Sequence, residues 1–289
     1  MKKTYEELLE ENKNLKERLI GSMRELTQRN EQLLEYQKEV TDSITYAERI
    51  QSAIMPPNDL VKKALPESFI LYLPRDVVSG DFYFVEQVEN EVVFAAVDCT
   101  GHGIPGALIS VIGFNYLHRA VVENGISIPS EILEFLDVGV NERLRQTDNA
   151  SGVNDGMELS LCNLNLKTKL LQYSGAYNPL YIVSNDEIKV VKGDKLEIGV
   201  NSDGIADNYT NHTIQLKEGD CVYLFSDGYA DQFGGPKGKK FMYKQLRETL
   251  VKINNRSMSE QKKILESVFQ NWRGEEDQVD DVLVMGVRV

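Results

Sequence analysis

Apolar residues in the first 55 positions recur in alternating steps of three and four. One seam runs Tyr5, Asn12, Leu19, Leu26, Leu33, Val40, Ala47 and Ile54; the other runs Leu8, Leu15, Ser22, Arg29, Tyr36, Ser43 and Ile50. This heptad register predicts a long helix that pairs with a second copy as a coiled coil. Asn12 falls in the first seam, where a buried polar residue sets register and a two-stranded state. Ser22, Arg29 and Ser43 weaken the second seam, which suits a seam that slips or opens in signalling. The same pattern also fits a single amphipathic helix packed on its own domain. Met55-Pro56-Pro57 ends the helix, because proline lacks the N–H and restricts the residue before it. The expected organisation is therefore a dimerisation and signalling helix over 1–55 and a globular domain over 60–289.

Past Pro57 the pattern changes to short apolar runs bounded by turn residues. Strands are expected over Phe69–Leu73, Phe82–Glu89, Glu91–Val97, Met157–Asn165, Lys169–Ser174, Leu180–Val183, Ile188–Val191 and Val282–Val289. His212–Leu216 and Cys221–Phe225 read as a hairpin turned at Lys217-Glu218-Gly219-Asp220. Helices are expected over Ile104–Glu123, Pro129–Gln146, Lys240–Asn254 and Ser259–Trp272. Strands such as Val92–Val97 and Val282–Met285 are apolar at every position, so both of their faces must be covered. Many strands with two separate helix pairs predict an α+β layered sandwich, sheet on sheet with helices outside.

Composition narrows the function. At 289 residues and 42% hydrophobic content, the chain supports a sizeable core. Its net charge of −13 argues against nucleic-acid binding through a basic face and against an anionic membrane surface. Cys99, Cys162 and Cys221 are far apart and form no CxxC pair, so they read as small buried residues in a reducing compartment. No His or Asn constellation supports Cys99 as a nucleophile. There is no apolar run long enough to span a bilayer and no signal-peptide pattern at the N-terminus, so the expected location is cytoplasmic.

Four acidic motifs sit at the rims of apolar runs: Gly80-Asp81, Asp98-Cys-Thr-Gly-His-Gly103, Ser226-Asp227-Gly228 and Asp280-Asp281. Two carboxylates end strands and two begin them, and antiparallel neighbours would bring all four to one edge of a sheet. Crowded carboxylates raise one another's pKa, and one or two hard divalent cations relieve the repulsion. The pattern predicts a metal site for hydrolysis. In Asp98–Gly103 the strand delivers a carboxylate, and the chain turns through Gly101 and Gly103 into a helix. Glycines allow close backbone approach to a metal or phosphate, and a helix start favours anions. A plain strand-to-helix turn is the bland alternative.

Val77-Val-Ser-Gly-Asp-Phe-Tyr83, Asp98-Cys-Thr-Gly-His-Gly-Ile-Pro-Gly-Ala107, Phe225-Ser-Asp-Gly228 and Asp280-Asp-Val-Leu-Val284 resemble the PPM metal-dependent serine/threonine phosphatases. The SpoIIE-like bacterial branch is the nearest pattern, and the resemblance runs from about residue 60 to the C-terminus. Ser43–Pro56 is similar to the helical linker preceding such domains in signalling proteins. The resemblance implies a four-layer αββα sandwich with two Mn²⁺ or Mg²⁺ ions. Asp81 would bridge the metals, and Asp98 would bind one of them with the Cys99 carbonyl. Asp227 and Asp280 would complete the set, with Asp281 beside them. It also implies water-mediated hydrolysis of phosphoserine or phosphothreonine on a signalling protein, with the helical stalk regulating it. Relatives often act on the phosphorylated antagonist of an anti-sigma factor.

Other positions stay open between two roles. Arg75 is a phosphate clamp or a surface arginine, since it is one place off the spacing of eukaryotic type 2C members. His102 is a general acid or a brace of a turn longer than theirs, while His118 and His212 read as structural or exposed. Asn154-Asp155-Gly156 approaches the metals or is a simple turn. Gly175-Ala-Tyr-Asn-Pro179 lacks the histidine many relatives carry there. The basic loop Phe233–Phe241 meets a phosphoprotein, gates the site, or is merely solvated. Two competing functions are a non-catalytic phosphoprotein-binding scaffold and a hydrolase of small phosphate esters.

Overall fold

The computed structural model describes residues 3–144, 155–200 and 208–289, so Asn154 and the expected helix end at Gln146 lie outside the described residues. The chain forms two compact units, Met1–Ala47 and Glu48–Val289. The first is most of helix α1 (Tyr5–Ile54), whose seam residues Leu8, Leu15, Leu19, Leu26 and Leu33 are all exposed.

The second unit begins with the last turns of α1 and a short helix the pattern did not predict, α2 (Asn58–Ala64). Next come β1 (Ser68–Leu73), β2 (Phe82–Val88), β3 (Glu91–Cys99), α3 (Gly103–His118) and α4 (Pro129–Leu144). A π-helical turn, Arg119–Glu123, extends α3. The middle of the chain supplies β4 (Met157–Asn165), β5 (Leu170–Ala176), β6 (Leu180–Ser184), β7 (Glu187–Val191), β8 (His212–Gln215) and β9 (Cys221–Phe225). A short helix α5 (Gly228–Asp231) and a small hairpin, β10 (Phe233–Gly234) with β11 (Lys239–Lys240), lead into α6 (Met242–Ile253), α7 (Met258–Arg273) and β12 (Val282–Arg288).

Two five-stranded antiparallel sheets result, ordered β1-β12-β9-β6-β7 and β2-β3-β4-β5-β8. Alternation along each strand explains why both faces are apolar. In β3, Val92, Phe94 and Ala96 join the core between the sheets, with Leu224, Leu283 and Met285 of the other sheet. Val93, Ala95 and Val97 face the opposite way, into a second core with Leu117, Leu133 and Leu136 of α3 and α4. A third core packs Phe69, Tyr223 and Val284 against Leu246, Leu265 and Phe269 of α6 and α7. Three apolar layers separate four structural ones: the fold is the αββα sandwich, α+β, with a long N-terminal helix. Each fully buried Phe or Leu contributes about 1.5–3 kcal/mol.

One expected pairing is corrected. β8 and β9 are not a hairpin: β8 pairs with β5 in the second sheet, whereas β9 lies between β12 and β6 in the first. The burial of the two strands explains the split. All five residues of β9 are buried and need two covered faces, while β8 alternates as an edge strand does. Lys217–Asp220 is instead a crossing between sheets. The Lys217 N–H bonds Asp220 Oδ2 at 2.8 Å, and the Gly219 N–H bonds the Val289 carbonyl at 2.7 Å.

Candidate metal centre

The β2–β3 ladder pairs Phe82 with Val97, so Asp81, just before β2, stands beside Asp98, near the end of β3. In the other sheet Phe225 pairs with Val284, which brings Asp227 and the Asp280-Asp281 pair together. The four acidic motifs therefore do not share one sheet edge. Two come from each sheet, and they meet across the sandwich at one end. The Asp227 N–H, 3.5 Å from Asp98 Oδ2, marks where the two sheets touch.

The electrostatics follow from that convergence. Asp81 is buried, its Oδ2 has no hydrogen-bond partner among the described residues, and burial and then the Asp98 charge push its pKa well up. Burial, Asp227 and Asp280 raise Asp98 in the same direction. Burial and Asp280 raise Asp227 to about 6, against a lowering contribution from Lys240. Asp280 is raised by burial, while the Asp281 N–H on its Oδ1 and, more weakly, His102 and Arg75 pull it down.

The loops around these acids are fixed by backbone contacts. Gly101 and Gly103 have φ of +83° and +64°, the left-handed region that glycine tolerates. A Cβ on Gly80 would stand 2.5 Å from the Gly101 carbonyl oxygen and 3.1 Å from that of Cys99, so this cradle closes only around glycine. The Cys99 side chain is buried, which drives its thiol pKa up and leaves only its carbonyl for chemistry. Asp281 behaves differently from its neighbour. Its Oδ1 accepts the Arg75 N–H at 2.7 Å and its Oδ2 accepts the Gly80 N–H at 2.8 Å. Each oxygen accepts one backbone N–H of the 75–80 loop, so Asp281 braces that loop.

Arg75 lies at the rim with its Nη1 on the Val279 carbonyl at 3.0 Å. His102 Nδ1 pairs with Asp76 Oδ2 at 2.9 Å, and both side chains are about half-exposed. Asp155-Gly156 backs the same loop, since the Thr100 N–H and Oγ both bond the Gly156 carbonyl. His212 stacks on Tyr173 and His118 ends α3. In Gly175–Pro179, Tyr177 takes a positive φ and the Asn178 carbonyl accepts the Tyr173 and Ser160 hydroxyls, so the segment is a braced turn.

Sequence reasoning missed three residues. Glu158 faces Asp98 across the β3–β4 ladder and is raised to about 7 by burial, Glu197 and Asp227. Glu197 is raised by burial and bonds the Thr100 hydroxyl at 3.3 Å. A lone carboxylate in the apolar run Met157–Leu164 was the available signal for Glu158. The third is Gln51, a buried amide near the end of α1. Its Nε2 donates to the Ser79 carbonyl at 2.5 Å and to Ser110 Oγ at 2.9 Å, and its Oε1 accepts the Ser79 N–H at 3.1 Å.

The residues fit divalent cations by chemistry: an orphaned buried carboxylate oxygen, acids that repel one another, and hard oxygen donors throughout. Among the described residues no three His, Cys, Asp or Glu side chains already stand as a ligand cluster. The fit therefore rests on donor type and desolvated charge.

The family model described as Stage II sporulation protein E (SpoIIE) matches residues 89–289. The chain is similar to the solved SiaA-PP2C domain of Pseudomonas aeruginosa, with 30% identity and a TM-score of 0.79 over 88% of this chain and 98% of that one. It shares a fold with the PP2C phosphatase domain of SpoIIE from Bacillus subtilis, solved with a regulatory fragment, at 21% identity, a TM-score of 0.60 and coverage of 77% and 63%. The RsbU and RsbW domains of a Mycobacterium tuberculosis protein align at 18% identity and a TM-score of 0.60, over 78% and 60% of the two chains. No curated protein sequence matches the chain.

Proposed function

We propose, because the chain belongs to the SpoIIE family, that it is a metal-dependent protein serine/threonine phosphatase acting on a phosphorylated signalling protein. One observation supports this above the others. Asp81, Asp98, Asp227 and Asp280 converge from two sheets into a partly desolvated cluster whose negative charge calls for cations. In this reading those four carboxylates and the Cys99 carbonyl hold two Mn²⁺ or Mg²⁺ ions. When bound, such ions shield phosphoryl oxygens and acidify a water for attack on phosphorus. Asp81 is central because it offers an unpartnered oxygen between the two sheets. Asp281 supports it by fixing the Gly80 N–H one residue away. Arg75, at the rim, clamps the phosphoryl group once its guanidinium leaves the Val279 carbonyl. His102 binds Asp76 through Nδ1, so Nε2 is the atom left to protonate the departing serine or threonine oxygen.

The exposed heptad seam of α1 supports pairing with a second copy, and a helix that runs on to Ile54 supports regulation through the stalk. The test is Asp227→Asn on a phosphoserine peptide with Mn²⁺. Turnover should fall by about 10³-fold, the scale of losing a preorganised electrostatic group, with the circular dichroism spectrum retained. Wild-type turnover in that variant would sink the reading.

A further inference from the structure

The hairpin β10–β11 sits beside the acidic cluster yet carries the opposite charge. Lys237, Lys239 and Lys240 fall within four positions of a chain whose net charge is −13. The hairpin is also firmly mounted. Gln232, buried at its base, donates to the Phe233 and Asp277 carbonyls at 3.0 and 2.9 Å and accepts the Val279 N–H at 3.2 Å. The Trp272 indole N–H and the Phe241 N–H both bond the Gln232 carbonyl. Gly234 and Gly235 lie so close to Trp272 that a Cβ on either would collide with it, and Gly235 has φ +65°. Both arms of the centre reach this base: α5 follows Asp227 directly, and Val279 precedes Asp280.

The lysines divide the work. Lys240 pairs with Asp231 at 2.6 Å, lies over the exposed Phe233 ring and lowers the Asp227 pKa, so it turns toward the centre. Lys237 and Lys239 are exposed and have no ion-pair partner among the described residues. A chain with a net charge of −13 repels an acidic partner at long range. The hairpin follows α5, the helix after Asp227, and its base at Gln232 holds the Val279 N–H beside Asp280, so Lys237 and Lys239 place positive charge near the acids, where a phosphorylated segment would approach.

We propose that the hairpin Phe233–Lys240 is a docking platform for acidic residues flanking the phosphorylated side chain of a protein substrate. This rests on the phosphatase reading and adds the class of sequence the site selects.

The experiment compares wild type with Lys237→Glu/Lys239→Glu on phosphoserine peptides with acidic, neutral or basic flanks. Wild type should favour acidic over neutral flanks in kcat/KM, and the double variant should lower that ratio about tenfold, the scale expected for two reversed rim charges. Basic flanks should gain in the variant, and added salt should erase the wild-type preference. A direct readout uses Asp227→Asn as the background and measures binding of the acidic phosphopeptide by fluorescence anisotropy, with and without the two lysine reversals. An unchanged ratio with unchanged binding overturns docking while leaving the phosphatase reading intact. If wild type turns over none of the peptides, the phosphatase reading falls, and the anisotropy comparison still decides docking. Equal affinity for an oligonucleotide of the same charge also overturns the proposal, because the ribbon would then be an unselective polyanion site.

Discussion

Asp280 and Asp281 are adjacent in sequence and differ in their surroundings. The Asp280 carboxylate is raised by burial and stands among other acids, whereas both Asp281 oxygens accept backbone N–H groups from the loop that carries Asp81. Removing a buried acceptor leaves its donors unsatisfied, at a cost of about 1–3 kcal/mol per group. Asp281→Ala should therefore lower unfolding free energy by about 2 kcal/mol or more and weaken Mn²⁺ binding by loosening Asp81. Asp280→Asn should weaken Mn²⁺ binding with no such loss of stability. Urea unfolding beside titration calorimetry reads both effects; equal stability losses in the two variants would remove the distinction. Asp81, Asp98, Asp227 and Asp280 were legible in the sequence because each marks a strand boundary, where a carboxylate interrupts an apolar run. The bracing role of Asp281 was not, since a two-residue acidic motif does not say which residue meets the amides. Glu158 was hidden for another reason: it lies inside a strand, and only the β3–β4 register places it opposite Asp98.

Among elements, the end of α1 is placed to act on the centre. Gln51 grips both the N–H and the carbonyl of Ser79, directly before Gly80-Asp81, and also the hydroxyl of Ser110 in α3, which starts at the Asp98–Gly103 turn. One amide thus ties the helix end to the loop that carries Asp81 and to α3, the helix that follows Asp98. Deleting residues 1–47 should change Mn²⁺-dependent kcat in the wild type, and the same deletion in a Gln51→Leu background should change it much less. Sedimentation on the same samples should show loss of a dimer with the deletion. Equal deletion effects in both backgrounds would show that Gln51 does not carry the signal. The heptad pattern made the helix readable to its end at Ile54, and continuous apolar runs made β3 and β12 readable. The β8–β9 crossing was not, because turn chemistry reports that the chain turns, not which of two sheets the next strand joins. Short elements such as α2 and β10–β11 carry too few residues for a period to register.

At the scale of the whole molecule, the centre concentrates negative charge in an already acidic protein, and this fixes how stability responds to pH. Asp227 is raised from 3.8 to about 6 and Glu158 from 4.5 to about 7, both chiefly by burial, with Asp81 and Asp98 raised in the same direction. Between the unfolded and folded pKa values the folded chain keeps protons that the unfolded chain has released. Stability therefore falls as pH rises through that window. In EDTA, Tm should be higher at about pH 5.5 than at about pH 7.5, the reverse of a protein whose carboxylates are salt-bridged. Mn²⁺ should raise Tm more at the higher pH, because its ligands must be deprotonated to bind. Relief of general self-repulsion on acidification has the same sign, so the local contribution needs its own control. Glu158→Gln and Asp227→Asn should each shrink the Tm difference in EDTA, whereas Glu218→Gln, at an exposed surface pair with Lys169, should leave it in place. If the centre variants shift the difference no more than the surface variant does, the pH response belongs to the overall charge of −13 and not to the carboxylates gathered between the sheets.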